Sequence, residues 1–293
     1  MLKQTQRGTR YLTAPECRVI ASTKVDSAFF SGDTDGFVRA LFPKRLTGES
    51  EEPVKGEPSL AASYFSDRPA LPHGAQLIKF AGQLCYLSFG EQRSYNAQAS
   101  EYLAHIKQSG HGSVLEHYNV SVLLYGVSRA FTHELVRHRA GFGFSQVSQR
   151  YVAGKHLRFI ESLEHQNYAP LHASFERWID AAAEEYETRE SLLLSRYNIE
   201  KPTTEQRKAV RQEARRCLPN ETEAAIVVTG NLRAWRHFVE QRCSKPADAE
   251  ACRAAYVTFQ GLRNIEPLLW EDYIPGESRP DGLNTLTTPY RKV

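Results

Sequence analysis

The segment VRHRAGFGFSQVSQRYV, residues 136–152, has the residue types of an anion-binding loop. It holds Arg137, His138, Arg139 and Arg150, two glycines and two serines, and it has no acidic residue. A guanidinium binds phosphate through paired charge-assisted hydrogen bonds, and serine hydroxyls and backbone N–H groups add neutral donors. The segment therefore predicts a phosphate cradle. The alternative that it leaves open by itself is a solvated basic turn with an internal salt bridge.

Three further segments carry polar residues that could join this loop. HGSVLEH, residues 111–117, places two histidines six apart across a predicted turn, whereas a two-histidine metal site on a helix uses i, i+4 spacing. We therefore predict packed histidines there and no metal. The helix NLRAWRHFVEQR, residues 231–242, separates a core stripe from its polar residues, and QEARRCLP, residues 212–219, has an arginine pair just before Cys-Leu-Pro. The helix at residues 231–242 also fits an exposed helical face, and each of the three segments is a weak signal when taken singly.

The composition is that of a globular chain and excludes several classes of protein. With 41% hydrophobic and 24% charged residues among 293, the chain has no bias toward disorder. A formal net charge of +3 is too small to indicate nucleic-acid binding. The longest apolar runs are far shorter than a membrane span, and MLKQTQRGTRYLTAPE lacks the apolar core of a secretory signal. Because the five cysteines form no CxxC pair, we predict reduced thiols and a cytoplasmic location.

Apolar spacing and caps predict the elements that would position these segments. Residues 77–86 have helical spacing, and Ser100 is a predicted N-cap for a helix that stops at Gly110. Residues 117–127 alternate as a strand with Val120, Val122 and Leu124 on one face. Because several helices accompany one or two clear strands, the pattern predicts an α+β protein.

The basic segment, residues 136–152, is predicted to be the end of a helix followed by a loop. Ser128 is a predicted cap for a helix through residue 139, which would put Glu134, Arg137 and His138 on neighbouring turns. The two glycines that follow then predict irregular backbone.

Four helices and one short apolar element are predicted downstream, and an extension is predicted at the N-terminus. The downstream elements are 172–197, 205–217 capped by Thr203 or Thr204, the apolar 224–230, 232–243 opened by Asn231, and 248–265. Residues 1–70 are predicted to be an N-terminal extension that includes a Pro-, Gly- and Glu-rich linker at 44–60.

Four motifs, in this order, resemble those of the flavin-dependent thymidylate synthases. The family hallmark is Arg-His-Arg, seven residues, and then Ser-x-Arg-Tyr. The family also has His-x-(Ser/Thr)-x-x-Glu-His upstream and, downstream, an arginine just before Leu-Pro and an Asn-x-Arg helix ending in a further arginine. The corresponding residues here are His111, Ser113, Glu116, His117, Arg137, His138, Arg139, Ser148, Arg150, Tyr151, Arg215, Asn231, Arg233 and Arg242. The resemblance covers about residues 76–274.

The resemblance implies helices packed around an antiparallel sheet, with residues 71–293 as the catalytic domain. It implies a methyltransferase that converts dUMP to dTMP, with methylenetetrahydrofolate as carbon donor, FAD as relay and NADPH as reductant. It also implies a homotetramer with active sites between subunits, with dUMP and folate as small-molecule substrates and neither nucleic acid nor membrane as a partner. In such a scheme the flavin relays the one-carbon unit and supplies the hydride, so no cysteine nucleophile is needed.

The matched motifs imply a division of the polar residues between cofactor and substrate. The residues implied for FAD are His117, Asn119, Arg137, His138, Arg139, Gln146, Asn231, Arg233 and His237. The residues implied for dUMP are Glu134, Arg137, Gln146, Ser148, Gln149, Arg150, Arg215 and Arg242. Arg242 is also implied as the catalytic residue, because its permanent charge beside the uracil N3/O4 edge would stabilise an electron-rich pyrimidine.

Two departures from the family pattern leave other activities open. Eight residues separate Arg139 from Ser148 where the family has seven, and Glu134 stands where members often have a glutamine facing the nucleotide. An ionised glutamate cannot donate a hydrogen bond, so either it pairs with a nearby arginine or nucleotide binding is altered. The alternatives are a flavin-dependent pyrimidine nucleotide hydroxymethylase, a paralogue with another substrate and, more remotely, a non-catalytic nucleic-acid-binding protein.

Overall fold

The helices and strands have the following bounds in the computed structural model, which describes residues 1–31, 70–88, 98–152 and 154–291. The strands are β1 (Leu2–Gln4), β2 (Arg10–Leu12), β3 (Glu16–Ser22), β4 (Asn119–Tyr125), β5 (Phe142–Gln146), β6 (Phe159–Ile160), β7 (Ile226–Asn231), β8 (Ile274–Ser278) and β9 (Asn284–Thr287). The helices are α1 (Ser27–Ser31), α2 (His73–Tyr86), α3 (Ala99–Gln108), α4 (Arg129–Leu135), α5 (Leu163–Asn167), α6 (Ala169–Arg196), α7 (Thr204–Ala214), α8 (Leu232–Arg242) and α9 (Ala249–Ile265). The predicted linker at 44–60 lies outside the described residues.

A four-stranded antiparallel sheet, in the order β3–β4–β7–β5, carries Asn119, Gln146 and Asn231 of the predicted site residues. Val120, Val122 and Leu124 of β4 are buried, as their alternation predicts. Apolar residues of α2, α3, α8 and α9 join them in one core, to which Leu286 of the small β8–β9 sheet also belongs. Tyr11 and Phe159 of the β1–β2–β6 sheet belong to a second, smaller cluster. The prediction of an α+β protein with helices packed on an antiparallel sheet is confirmed.

Part of the predicted N-terminal extension belongs to this sheet. Strand β3 pairs with β4 from Glu16 opposite Tyr125 to Ser22 opposite Val120, with a bulge between Val19 and Ala21. Residues 16–22 are therefore an edge strand of the main sheet. The domain boundary near residue 70 stays a prediction.

The basic segment folds differently from the helix and loop predicted for it. Helix α4 ends at Leu135, and the backbone N–H groups of Arg137 and His138 bond carbonyls three residues back in a tight turn. The predicted helix through residue 139 is therefore wrong, and Glu134 does not share a helix with Arg137 and His138. The predicted loop is in part strand β5, because Phe142 and Phe144 alternate toward the core while the backbone pairs with β7.

Helix starts follow the caps predicted for them, with one exception. The side chains of Ser128 and Asn231 accept backbone N–H groups at the starts of α4 and α8, and Thr203 forms a capping box on α7. Ser100, however, lies inside α3, which begins at Ala99 with Gln98 as its N-cap.

None of the helices in the described ranges is both long and apolar enough to cross a membrane. The cytoplasmic location stays a prediction.

Candidate active site

Arg242, the last residue of α8, is held by two side chains from α4 and the turn after it. Its Nη1 donates to Glu134 Oε2 over 2.6 Å, and its Nε donates to His138 Nε2 over 3.0 Å. The side chains of Arg242 and Glu134 are 22% and 40% exposed, so a ligand can reach both. The sequence left two possibilities for Glu134, a pair with a nearby arginine or altered nucleotide binding. The structure shows the pair with an arginine.

His138 is the uncharged member of this group. Burial, the positive charge of Arg242 and the neighbouring His237 lower the pKa of His138 to about 4. Its ring lies edge-on to Phe238, with centroids 5.4 Å apart, and to His237, with centroids 6.1 Å apart. Because Nε2 accepts from Arg242, we assign the proton of the neutral ring to Nδ1. His138 thus fixes Arg242 without adding a second positive charge.

The lowered pKa predicts that His138 makes the fold less stable in acid. The unfolded imidazole takes up a proton near pH 6.5, whereas the folded one does so only near pH 4. The neutral ring therefore costs no stability above pH 6.5, and stability is lost as the pH falls from 6.5 to about 4. We expect His138→Gln to flatten the pH dependence of the free energy of unfolding in this window, measured by urea denaturation. Equal slopes for the two proteins would contradict the assignment.

Arg233 lies in the first turn of α8 and contacts the turn that contains the upstream motif. Its Nη1 donates to Glu116 Oε1 over 2.6 Å. Gly112 is close to the guanidinium, since a Cβ at that position would lie only 3.0 Å from Arg233 Nε. The missing side chain at 112 therefore leaves room for the guanidinium, which gives the glycine of the HGS sequence a packing role.

Four further residues predicted for the cofactor lie around the junction of β7 and α8, where Arg233 also lies. Asn231 joins β7 to α8, accepts the backbone N–H three residues on, and lies opposite Asn119 in the sheet. Asn119 Nδ2 donates to the backbone carbonyl of His117 over 3.5 Å. His237 is one turn after Arg233, and both are exposed. We call these five residues, His117, Asn119, Asn231, Arg233 and His237, the α8 N-terminal group.

The loop at residues 147–152 follows β5 and carries the serine and arginine of the family hallmark. The backbone N–H of Arg150 donates to Ser148 Oγ over 3.3 Å, and the next two N–H groups donate to the Ser148 carbonyl. Within the described residues, Gln149 Nε2 and Arg150 Nε are buried and have no hydrogen-bond partner. Because buried donors without acceptors are costly, these two atoms favour a ligand that supplies acceptors.

Two arginines outside the predicted set lie close to this loop or to Arg215. Arg211 Nη1 donates to the carbonyl of Tyr151 over 2.6 Å, and its Nε donates to Glu190 over 3.3 Å. Arg129 begins α4, and its pKa is lowered by burial and by the nearby charge of Arg215. A basic residue in the first turn of a helix is unfavourable beside the positive end of the helix dipole, and this signal could have identified Arg129 from the sequence.

Gln146 contacts the side of α4 that faces away from Arg242. Its Nε2 donates to Thr132 Oγ1 over 3.1 Å. Thr132 and Glu134 are two residues apart, which is about 200° around a helix. Gln146 and Arg242 therefore contact different sides of α4.

The predicted site residues thus fall into three groups rather than one. They are the Arg242 group (Glu134, His138, Arg242), the α8 N-terminal group, and a loop group (Gln146, Ser148, Gln149, Arg150). Arg215 lies near Arg129 at the start of α4. In the ranges that the structure describes, no hydrogen bond or ion pair joins the Arg242 group to the loop group. Arg137 and Arg139 are exposed on either side of His138.

Comparison with known proteins gives consistent matches over most of the chain. The family model described as thymidylate synthase complementing protein matches residues 69–268. A flavin-dependent thymidylate synthase of Mycobacterium sp. (strain JLS) is 40% identical over 242 residues, which cover 78% of this chain and 94% of that protein. The flavin-dependent thymidylate synthase of Mycobacterium tuberculosis is 40% identical over 216 residues, covering 74% and 86%.

A solved structure extends the likeness to the fold. The UMP/dUMP methylase PolB from Streptomyces cacaoi, bound with 5-Br dUMP, aligns with a TM-score of 0.57 over 89% of this chain and 95% of that chain. At 17% sequence identity, this match concerns the fold alone.

Proposed function

The chain belongs to the flavin-dependent thymidylate synthase family, and from that premise we propose that it methylates dUMP to dTMP. The carbon donor is methylenetetrahydrofolate, the relay is FAD and the reductant is NADPH. The observation that carries the proposal is the guanidinium of Arg242, which is exposed to a ligand and fixed by Glu134 and His138.

The chemistry of the α8 N-terminal group fits FAD. A diphosphate is favoured at a helix N-terminus, where backbone N–H groups and the helix dipole attract negative charge. Arg233 and His237 present donors on the exposed side of that helix, and Arg137 and Arg139 add exposed cations. His117 and Asn119 would lie beside the flavin ring. When bound, FAD supplies one-carbon transfer and hydride delivery, which no side chain of the chain can provide.

Arg242 acts on the pyrimidine in the proposed reaction. Carbon 5 of uracil is a poor nucleophile. A cation that stabilises negative charge on the N3/O4 edge makes the ring more electron-rich, so the electron density at carbon 5 increases. The guanidinium has five N–H donors, and its bonds to Glu134 and His138 use two of them. Because these bonds set its orientation before substrate binds, little reorganisation is needed when charge develops on the ring.

The loop group, together with Arg215, binds the dUMP phosphate in this proposal. Ser148, Gln149, Arg150 and Arg215 supply hydroxyl, amide and guanidinium donors, which match the acceptors of a phosphate. The unpartnered donors of Gln149 and Arg150 support this assignment, since a phosphate would satisfy both.

Arg150→Ala is expected to raise the KM for dUMP with little change in kcat. Removing one charge-assisted phosphate contact costs about 1.5–3 kcal/mol, which corresponds to a ~10- to 150-fold rise. Steady-state kinetics with varied dUMP measure this change. Arg216→Ala is the matched control, because Arg216 is exposed and pairs with Glu213. An unchanged KM for Arg150→Ala would put the phosphate elsewhere.

A homotetramer with active sites between subunits is part of the proposal. A nucleotide has a phosphate at one end and a base at the other, so it must meet both the loop group and the Arg242 group. The contacts of Gln146 and Arg242 on different sides of α4 support a site in which one subunit supplies the first group and its neighbour the second.

A turnover assay with dUMP, methylenetetrahydrofolate and NADPH tests the proposed reaction. The purified protein is expected to take up FAD and to form dTMP. If 5-hydroxymethyl-dUMP is the main product, the chain is a hydroxymethylase instead. A colourless protein that ignores FAD and binds DNA with a steep salt dependence would support the nucleic-acid-binding alternative.

A further inference from the structure

Cys243 and Cys252 form a buried pair of thiols directly after Arg242. Both side chains are fully buried, and Cys243 Sγ lies 3.8 Å from the carbonyl oxygen of Cys252. The thiol of Cys243 also hydrogen-bonds to the thiol of Cys252, so the two sulfur atoms are neighbours. Cys243 is the C-cap of α8, and Cys252 lies in the first turn of α9. The proposed reaction uses neither thiol.

The two thiols differ in acidity. The hydrogen bond from Cys243 and the positive charge of Arg279 lower the pKa of Cys252. The same hydrogen bond and burial raise the pKa of Cys243. Arg279 lies beside the turn after Cys243, since its Nη1 donates to the carbonyls of Ser244 over 2.7 Å and Lys245 over 3.0 Å. A thiol at a helix N-terminus and near an arginine has the surroundings that favour a reactive thiolate. Cys252 is therefore the nucleophile of the pair.

We propose that Cys243 and Cys252 form a reversible disulfide on exposure to hydrogen peroxide, and that this bond lowers kcat by displacing Arg242. The effect on kcat rests on the proposed function, since it is measured as dTMP formation. Because both thiols are buried, the oxidant must be small and uncharged. It must enter at the turn that follows Cys243, where Lys245 and Pro246 are exposed.

The oxidation balances with one molecule of hydrogen peroxide. The Cys252 thiolate attacks a peroxide oxygen and the O–O bond breaks. The leaving hydroxide takes up the proton that the thiol lost, which gives water and a sulfenic acid. The sulfur of Cys243 then attacks the sulfur of Cys252, the S–O bond breaks, and the hydroxyl leaves with the proton of Cys243 as a second water. The two sulfurs lose two electrons, which the peroxide gains, and a small dithiol reverses the change by exchange.

The disulfide cannot form without movement at the end of α8. An S–S bond is about 2.05 Å long, which is shorter than a hydrogen bond between two thiols, so Cys243 must shift toward α9. Arg242 is the preceding residue, and its guanidinium is held by Glu134 and His138. A misplacement of about 1 Å at an active site can lower a rate ~10²-fold. Oxidation is therefore expected to lower kcat.

Peroxide treatment of the FAD-loaded chain tests the inference. After the free thiols are blocked, trypsin releases residues 243–253 as one peptide with both cysteines, because trypsin does not cleave between Lys245 and Pro246. We expect this peptide to lose the mass of two hydrogen atoms and kcat to fall ~10-fold or more. Dithiothreitol is expected to restore both. A pair that stays reduced while peroxide oxidises the exposed Cys85 would overturn the inference, as would a loss of activity that dithiothreitol does not reverse.

Single substitutions show which thiols carry the effect. Cys243→Ala and Cys252→Ala are each expected to keep most of the activity and to lose the sensitivity to peroxide. Cys85→Ser changes an exposed cysteine outside the pair and is the matched control, which is expected to stay sensitive. Inactivation of Cys252→Ala to the same extent as wild type, or resistance of Cys85→Ser, would contradict the inference. If an alanine variant fails to fold, the peptide mass and the recovery of activity in wild type decide the question.

The peptide mass separates this inference from the function on which it rests. A reduced protein that makes no dTMP contradicts the proposed function, and the peptide still shows whether the two thiols pair. If the disulfide forms and dTMP production stays the same, Arg242 is not displaced and the inferred effect on kcat is wrong.

Discussion

Arg242→Ala is expected to abolish measurable dTMP formation while the protein still takes up FAD. The guanidinium is the only group in the proposed mechanism that faces the pyrimidine with a permanent positive charge. Removing one preorganised donor from a developing anion typically costs ~10²–10³ in kcat. A larger loss is expected here, because the variant also leaves Glu134 without its cation beside the substrate.

Two controls separate catalysis from folding in this experiment. Gln241→Ala changes the exposed residue next to Arg242 on the same helix and is expected to keep wild-type activity. Arg242→Lys keeps the charge but not the planar fork of donors, so it is expected to be strongly impaired. FAD uptake by Arg242→Ala, measured by flavin absorbance after gel filtration, shows that the α8 N-terminal group still forms. Activity near wild type in that variant would remove Arg242 from the proposed role.

Trp235→Ala is expected to lower the free energy of unfolding by about 3–5 kcal/mol, the range for a large aromatic residue removed from a core. Trp235 is fully buried, its indole N–H donates to the carbonyl of Val120 over 3.2 Å, and its ring meets Phe142 edge-on with centroids 4.8 Å apart. One side chain thus ties α8 to β4 and β5. Because α8 carries both Arg233 and Arg242, the loss should reach the site as well as the core.

Urea denaturation monitored by circular dichroism measures the effect of Trp235→Ala. Trp235→Phe is the matched variant, and it should lose much less stability because it keeps an aromatic ring against Phe142. In the same samples, FAD affinity is expected to fall for the alanine variant and to stay near wild type for the phenylalanine variant. A loss of stability below about 1 kcal/mol would mean that the core closes around the gap, contrary to the packing described.

Local signals in the sequence predicted most element types correctly. Ser128, Thr203 and Asn231 are short polar residues that accept backbone N–H groups, and each begins a helix where the sequence predicts one. Alternation in β4 identified its buried side. These predictions succeed because caps and alternation involve residues within four positions of each other.

The basic segment shows where local signals fail. Its two glycines predict a break in regular structure, yet Phe142 and Phe144 lie in a strand, because β7 offers a free edge for backbone pairing. That edge comes from residues more than eighty positions later in the chain. The end of α4 at Leu135 also has a consequence far along the chain. Because the helix stops there, the chain turns and His138 packs against Phe238 of α8.

The order of amino acids in the chain specifies which residues are available for chemistry. The family hallmark, the arginine before Leu-Pro and the Asn-x-Arg helix identify the family, because the types and order of residues are written in the chain. How these residues act on each other depends on contacts that form only in the folded protein. Glu134 pairs with Arg242 across 108 positions, and His138 stays neutral because burial and that same arginine disfavour its proton. These side chains meet only in the folded protein, because ion pairs and burial depend on distance in space and not on spacing along the chain.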